Sequence, residues 1–243
     1  RFRRESDVDS TGSRERLDSM TEAVLALDCS GDTYSVGLLV EGRHQTSIDG
    51  LKARAALRDL PGHAAYLLKN SGLNYESLVA VGVTRGPGSF TGVRLGVTLA
   101  KTIAMTAGCG IAAFDTLSVM AAGFAEGYDR GQVAVALDAR RKELYCAVFD
   151  FAELETVVKT DVRTPAEFEE LMSECSDLRV LVGSGFQAYP SLVPSGFTGL
   201  LGGGKRLSQP PVITLCEMTY QAWKSGQLQQ WGEVVPEYHR QAD

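Results

Sequence analysis

The spacing of apolar and polar positions switches register along the chain, and each switch marks an element. Ala23 to Asp28 is an unbroken apolar run ending in an acid, the pattern of a strand covered on both faces. Cys29 to Asp32 is a polar turn, Thr33 to Val40 a second strand, and Glu41-Gly42 leads into a third near His44 to Ile48. These three predict an antiparallel meander. A helical period then runs from Ala55 to Asn70, placing Leu57, Leu60, Ala64, Leu67 and Leu68 on one face. Pro61 interrupts it and suits a first helical position, so it marks an alternative start. Leu78 to Val83 reads as another buried strand, broken by Gly86-Pro87-Gly88-Ser89. Pro87 and Gly88 fit the centre of a type II turn, and Ser89 or Thr91 can cap the helix that follows. Ile111 to Phe114 predicts a short strand, after which Asp115 or Thr116 starts a helix ending near Glu126.

The second half repeats this plan. Gln132 to Asp138 and Glu143 to Asp150 predict strands on either side of a polar turn, Ala139 to Lys142, and a third strand lies near Glu155 to Val162. Thr164-Pro165-Ala166-Glu167 is a capping box with proline at the first helical position, and its helix extends to about Cys175. Arg179 to Gly183 returns as a strand, Gly196 to Lys205 reads as glycine-rich loop, and Val212 to Ser225 as a last helix. Leu27-Asp28 and Leu137-Asp138 each close a first strand, and each is followed by a turn and a strand bearing a tyrosine, Tyr34 or Tyr145. That likeness points to duplication: two related α/β subdomains, over residues 20–128 and 129–243. Residues 1–19 are polar, charged and without period. They read as a disordered N-terminal extension, or as a remnant of cloning ahead of Met20.

The helix from Phe90 onward has a distinctive pattern. Gly92, Gly96, Ala100, Ala104 and Gly108 recur at every fourth position and share one face. Glycine inside a helix costs roughly 1 kcal/mol relative to alanine, which is tolerated where another backbone must come close. The strip can therefore lie against the chain's own domain or receive a foreign helix. Leu95, Leu99 and Ile103 line a second face. The loop before the helix lacks the Gly-Lys-Ser/Thr of a P-loop, and its third glycine, Gly92, falls one residue late for a dinucleotide fingerprint.

Composition narrows the function. Apolar residues make up 44% of the chain, as in ordinary globular proteins. No apolar run reaches the roughly 20 residues that span a membrane. The formal net charge of -6 argues against a protein that grips nucleic acid unaided. The five cysteines, Cys29, Cys109, Cys146, Cys175 and Cys216, are scattered and form no CxxC, so free thiols in a reducing cytoplasm are expected. His44, His63 and His239 form no metal-ligand spacing, and no G-x-S-x-G or other protease constellation occurs. Asp28 and Asp138 could flank a cleft and serve Mg²⁺, or each could simply brace a strand-to-turn junction.

The stretch RGPGSFTGVRLG, Arg85 to Gly96, resembles the signature of the bacterial TsaB (YeaZ) family, the dimerisation subunit of the machinery that makes threonylcarbamoyladenosine in tRNA. The likeness continues through LALDCSGDTYSVGLL at Leu25, VALDARRKELYCAVF at Val135, LVGSGF at Leu181 and a terminal P-x-Y-x-R from Pro236 to Arg240. It covers the chain from about Glu22 onward. The resemblance implies the duplicated actin-like, ribonuclease-H-like (ASKHA) fold, in which two Asp-bearing hairpins hold nucleotide phosphates.

It further implies a non-catalytic scaffold that pairs with a TsaD-type paralogue, working with a TsaE-type ATPase and meeting tRNA only through the complex. Phe90, Gly92, Val93, Gly96, Val97, Ala100 and Ala104 are the expected interface. Asp28, Ser30, Gly86, Gly88 and Asp138 are the expected remnant of a nucleotide site. No cofactor is expected of this subunit itself, ATP and Mg²⁺ being those of the complex. The catalytic paralogue's paired-histidine motif is represented here only by His63, and the histidine that many TsaB-type proteins carry early in that helix is missing around Arg54. Alternative readings are an ATP/Mg-dependent enzyme of the same superfold using Asp28 and Asp138, and a homodimer through the same helix.

Overall fold

In the computed structural model, residues 21–124, 128–152, 154–202 and 209–239 are described. The expected duplication is present in the strand order. Strands β1 (Ala23–Asp28), β2 (Thr33–Val40), β3 (Arg43–Lys52), β4 (Leu78–Thr84) and β5 (Gly110–Phe114) form one sheet in the order β3-β2-β1-β4-β5. Strands β6 (Gln132–Arg140), β7 (Glu143–Asp150), β8 (Thr156–Arg163), β9 (Leu178–Val182) and β10 (Leu200–Gly202) form a second, whose order β10-β9-β6-β7-β8 is the same plan read from the other edge. In each, the first three strands are an antiparallel meander and the last two run parallel to the first. β10 stands within the stretch expected as loop, Gly196 to Lys205, whose last residues, 203–205, lie outside the described residues.

The α-helices among the described residues are α1 (Ala56–Asn70), α2 (Phe90–Ala107), α3 (Thr116–Ala122), α4 (Pro165–Ser173), α5 (Ser184–Ala188) and α6 (Val212–Lys224). Each face of β1 is packed by a different layer, as its unbroken apolar run requires. Ala23, Leu25 and Leu27 join a core with α1 and α2, while Val24 and Ala26 join one with Val212, Leu215 and Cys216 of α6. In the second sheet, Val133, Val135 and Leu137 meet Leu117, Met120 and Ala121 of α3. Its opposite face, with Ala134 and Ala136, packs on Phe168 and Met172 of α4 and Phe186 of α5.

Two helices therefore cross the expected boundary at 128/129. α3 belongs by sequence to the first half and packs on the second sheet, and α6 belongs to the second half and packs on the first. The segment after α6 also returns to the first sheet, where Gln229 makes an antiparallel bridge to Ile111 and Val234 is buried in the first core. Neither 20–128 nor 129–243 is thus a self-contained unit, because each lends an apolar helix to the other's sheet.

Three local expectations are revised. Pro61 lies inside α1 rather than starting it. It stands on the exposed side of the helix, where water can serve the carbonyl left without a donor. Leu57, expected on the inner face, is 76% exposed. The bond before Pro87 is cis and Gly88 has φ 157°, whereas the second centre of a type II turn needs about +80°.

Candidate functional site

The signature loop is built on the carboxyl ends of β1 and β4, which run parallel with Leu27 opposite Val83. Asp28 and Thr84 therefore finish side by side. Thr84 Oγ1 donates to Asp28 Oδ1 at 2.5 Å, and the same oxygen accepts from Ser30 N–H at 3.1 Å and Ser30 Oγ at 2.7 Å. Asp28 is wholly buried, and its Oδ2 has no hydrogen-bond partner among the described residues. Burial pushes its carboxyl above the ordinary carboxylate range, against the pull of those three bonds. Cys29 beside it is buried too, and burial together with the Asp28 charge drives its thiol far up, so it is no nucleophile.

The loop then folds over this corner. Ser89 N–H donates to Ser30 O at 2.7 Å, and Ser89 Oγ accepts from Gly92 N–H, the expected cap of α2. A Cβ at Gly88 would lie 2.3 Å from Ser30 O, and one at Gly86 would lie 2.4 Å from Glu237 O. Both glycines are thus required by the chain's own backbone. Glu237 comes from the returning C-terminal segment; its N–H donates to Arg85 O at 2.7 Å and its carboxylate pairs with Arg85 at 3.1 Å. The next residue, Tyr238, lays its ring 4.9 Å from that of Phe90.

Asp28, Ser30, Gly86 and Gly88 are therefore brought together, but each is engaged by its own chain. Asp138 stands on the other sheet, where its N–H donates to Ser184 Oγ at 3.0 Å and its Oδ1 accepts from Arg140 N–H at 2.9 Å. A Mg²⁺-nucleotide needs free carboxylate oxygens and open backbone N–H groups. Asp28 Oδ1 already takes three donors while its buried Oδ2 is left without a partner among the described residues, and the approaches at Gly86 and Gly88 are filled by Glu237 and Ser30, so these two glycines offer no open backbone cradle for phosphate. No cluster of three or more metal-ligating side chains occurs among the described residues.

The small-residue strip of α2 faces inward, which corrects the expected interface. Gly92 and Gly96 are buried, as are Val93, Val97, Ala100 and Ala104. A Cβ at Gly92 would sit 2.0 Å from Cys29 O, so the close approach that the pattern predicted is made to the chain's own β1–β2 turn. Of the seven expected interface residues only Phe90 reaches the surface, at 44% exposure, with the Arg94 guanidinium 5.1 Å from its ring centre.

The outward face of the same helix is the one left open. Phe90, Arg94, Thr98, Thr102 and Met105 are exposed, and Leu95 and Leu99 are half-buried at its margin. α1 packs beside α2 and exposes Leu57, Pro61, Ala65 and Tyr66. Leu57, Tyr66, Phe90 and Met105 are all large apolar or aromatic side chains exposed on these two helices. Leu57, Tyr66 and Met105 were not anticipated. Tyr66 and Met105 were signalled as apolar residues on the polar side of their helical periods, which the glycine strip outweighed, whereas Leu57 fits the apolar period and gave no such sign.

Comparison with known proteins agrees with the signature. Residues 50–178 match the family model described as TsaD: tRNA N6-adenosine threonylcarbamoyltransferase. The tRNA threonylcarbamoyladenosine biosynthesis protein TsaB of Haemophilus influenzae is 32% identical over 189 residues, covering 72% of this chain and 78% of the relative. The Escherichia coli protein of the same name is 32% identical over 177 residues, covering 70% and 74%. Among solved structures, an uncharacterized Pseudomonas aeruginosa protein with similarity to peptidase YeaZ superposes with a TM-score of 0.76 at 26% identity, covering 90% of this chain and 100% of that one. YeaZ from Pseudomonas aeruginosa superposes with a TM-score of 0.73 at 24% identity, covering 89% and 99%.

Proposed function

The chain belongs to the TsaB family, and from that membership we propose that it is a non-catalytic scaffold in the formation of threonylcarbamoyladenosine in tRNA. It pairs with a TsaD-type catalytic subunit through the outward faces of α1 and α2. Together with a TsaE-type ATPase, the pair transfers threonylcarbamoyl from its adenylate to the anticodon-adjacent adenosine, in the cytoplasm.

The observation that carries this reading is that large apolar side chains, Leu57, Tyr66, Phe90 and Met105, are left exposed on two neighbouring helices. Exposed aromatic and aliphatic side chains on a rigid helix pair are the anchors that protein interfaces use. Two such helices can meet two from a partner as a four-helix layer, packed at 8–10 Å between axes. The alternative, an ATP/Mg-dependent enzyme using Asp28 and Asp138, has less support, since both carboxylates brace their own turns. Self-association through the same face is expected when the partner is absent.

The test is co-purification with a TsaD-type protein of the same cell, read by gel filtration and mass. The wild-type pair is expected to co-elute. The Leu57→Lys/Met105→Lys variant places charge on the open face without touching the core, so its stability should stay within about 0.5 kcal/mol of wild type while the pair separates. Co-elution of that variant would remove the face from the interface.

A further inference from the structure

The turn from β6 to β7 carries chemistry that the pairing face leaves unused. The two strands pair through Asp138 and Leu144, slip by a residue, and pair again at Arg140 and Glu143. Arg141 and Lys142 are the tip. Arg140, Arg141 and Lys142 all adopt positive φ, at 66°, 55° and 63°. Residues with side chains seldom enter that region, and hairpin tips that need it take Asn or Gly. The same molecule uses the ordinary solution at the β2–β3 tip, where Gly42 supplies the second centre at φ 72°. At β6–β7, three consecutive cations stand where the backbone favours glycine.

The tip is braced and exposed. Asp138 Oδ1 holds Arg140 N–H, and the Arg140 guanidinium lies 3.7 Å from Asp138 Oδ2 with its side chain 75% exposed. Arg141 and Lys142 are exposed as well. None of the large exposed apolar side chains falls on β6, β7 or their turn. The tip thus lacks the buried anchor that a protein partner would need, and offers concentrated positive charge on a chain whose net charge is -6. Guanidinium forks fit phosphate oxygens in bidentate fashion, and most protein contacts to nucleic acid go to the backbone.

We propose that Arg140, Arg141 and Lys142 form a contact for the phosphate backbone of RNA, through which this subunit steadies the tRNA. The identity of the RNA rests on the tRNA-modification reading above; the anion site itself does not.

The test is binding of a labelled tRNA transcript, followed by fluorescence anisotropy from about 50 to about 200 mM salt, for the full chain alone and for its co-eluting pair with a TsaD-type protein. Arg141→Asn/Lys142→Gly installs the favoured hairpin tip, so it removes charge while keeping the turn. It is expected to bind tRNA at least tenfold more weakly, with a salt slope smaller by about 1 to 2. The charge-keeping exchange Arg141→Lys/Lys142→Arg should bind within about threefold of wild type, as phosphate contacts are chiefly electrostatic. Unchanged affinity and slope in the Asn-Gly variant, or no tRNA binding in either form, overturns the proposal. Loss of the partner protein rather than of tRNA by that variant overturns it too, since the tip would then meet an acidic protein surface. An intact pair that ignores the Asn-Gly change defeats this inference alone; a chain that binds tRNA through the tip but never pairs defeats the scaffold reading alone.

Discussion

Gly92 and Gly96 read alike in the sequence, yet their surroundings differ. A Cβ at Gly92 would meet a backbone oxygen, Cys29 O, at 2.0 Å, and backbone cannot step aside. A Cβ at Gly96 would meet Cys29 Cβ at 3.4 Å, an ordinary contact. Gly92→Ala is therefore expected to destabilise by about 3 kcal/mol, from overpacking against fixed atoms. Gly96→Ala gains helix propensity of up to about 1 kcal/mol and should be neutral or mildly stabilising. Urea unfolding of the two variants distinguishes these outcomes, and equal losses would contradict the geometry. Asp28 gives a second test at this scale. Its carboxyl is raised above its unfolded value of 3.8, so the folded state holds the proton more readily. The stability that it contributes is present at low pH and is lost as pH rises through the window above 3.8. Asp28→Asn stays neutral throughout, so its stability relative to wild type should improve as pH rises through that window. A difference that stays flat across a pH series of urea curves would mean that Asp28 is not raised.

Among the elements, α2 has two faces with different tasks. Its glycine and alanine strip seats the helix on β1, β4 and the Cys29 turn, while Phe90, Arg94 and Met105 look outward beside α1. Gly96→Leu would push a large side chain toward Cys29 and Val83. It should lower the urea midpoint of the isolated chain, which separates it from Leu57→Lys/Met105→Lys, expected to spoil pairing and spare the fold. The capping signals were legible because they are local chemistry. Ser89, Asp115 and Thr164 each accept from a free helix N–H, and the Thr164–Glu167 box closes in both directions. The direction in which the α2 strip faces was not legible, since close approach to a foreign backbone and to one's own demand the same residues. Leu57 illustrates the same limit: a leucine at helical spacing satisfies the period, but the approach of α1 to β2 decides whether it is covered.

For the molecule as a whole, the exchange of α3 and α6 between the halves has a thermodynamic consequence. Leu117 and Met120 of α3 complete the second core, and Val212, Leu215 and Cys216 of α6 complete the first. Neither half can unfold without stripping apolar cover from the other. A single calorimetric transition is expected for the full chain, with calorimetric and van't Hoff enthalpies in agreement. Two separate transitions would indicate independent halves. The returning C-terminal segment strengthens the link, for Val234 is buried in the first core and Lys101 Nζ donates to its carbonyl at 2.9 Å.

The sequence by itself determined the described strands other than β10, the starts of the capped helices and the repeat of one plan in two halves. Those follow from periodicity, capping and turn chemistry, which act over a few neighbouring residues and leave their mark in the string. Only the tertiary structure decided which sheet each helix covers, which side of α2 is open, and that Gly86, Gly88 and Asp28 serve the chain's own corner. Those outcomes depend on surfaces joined across tens of residues or more, as when Thr84 meets Asp28 and Glu237 returns to Arg85. A buried glycine or carboxylate carries no sign of which distant backbone comes to meet it.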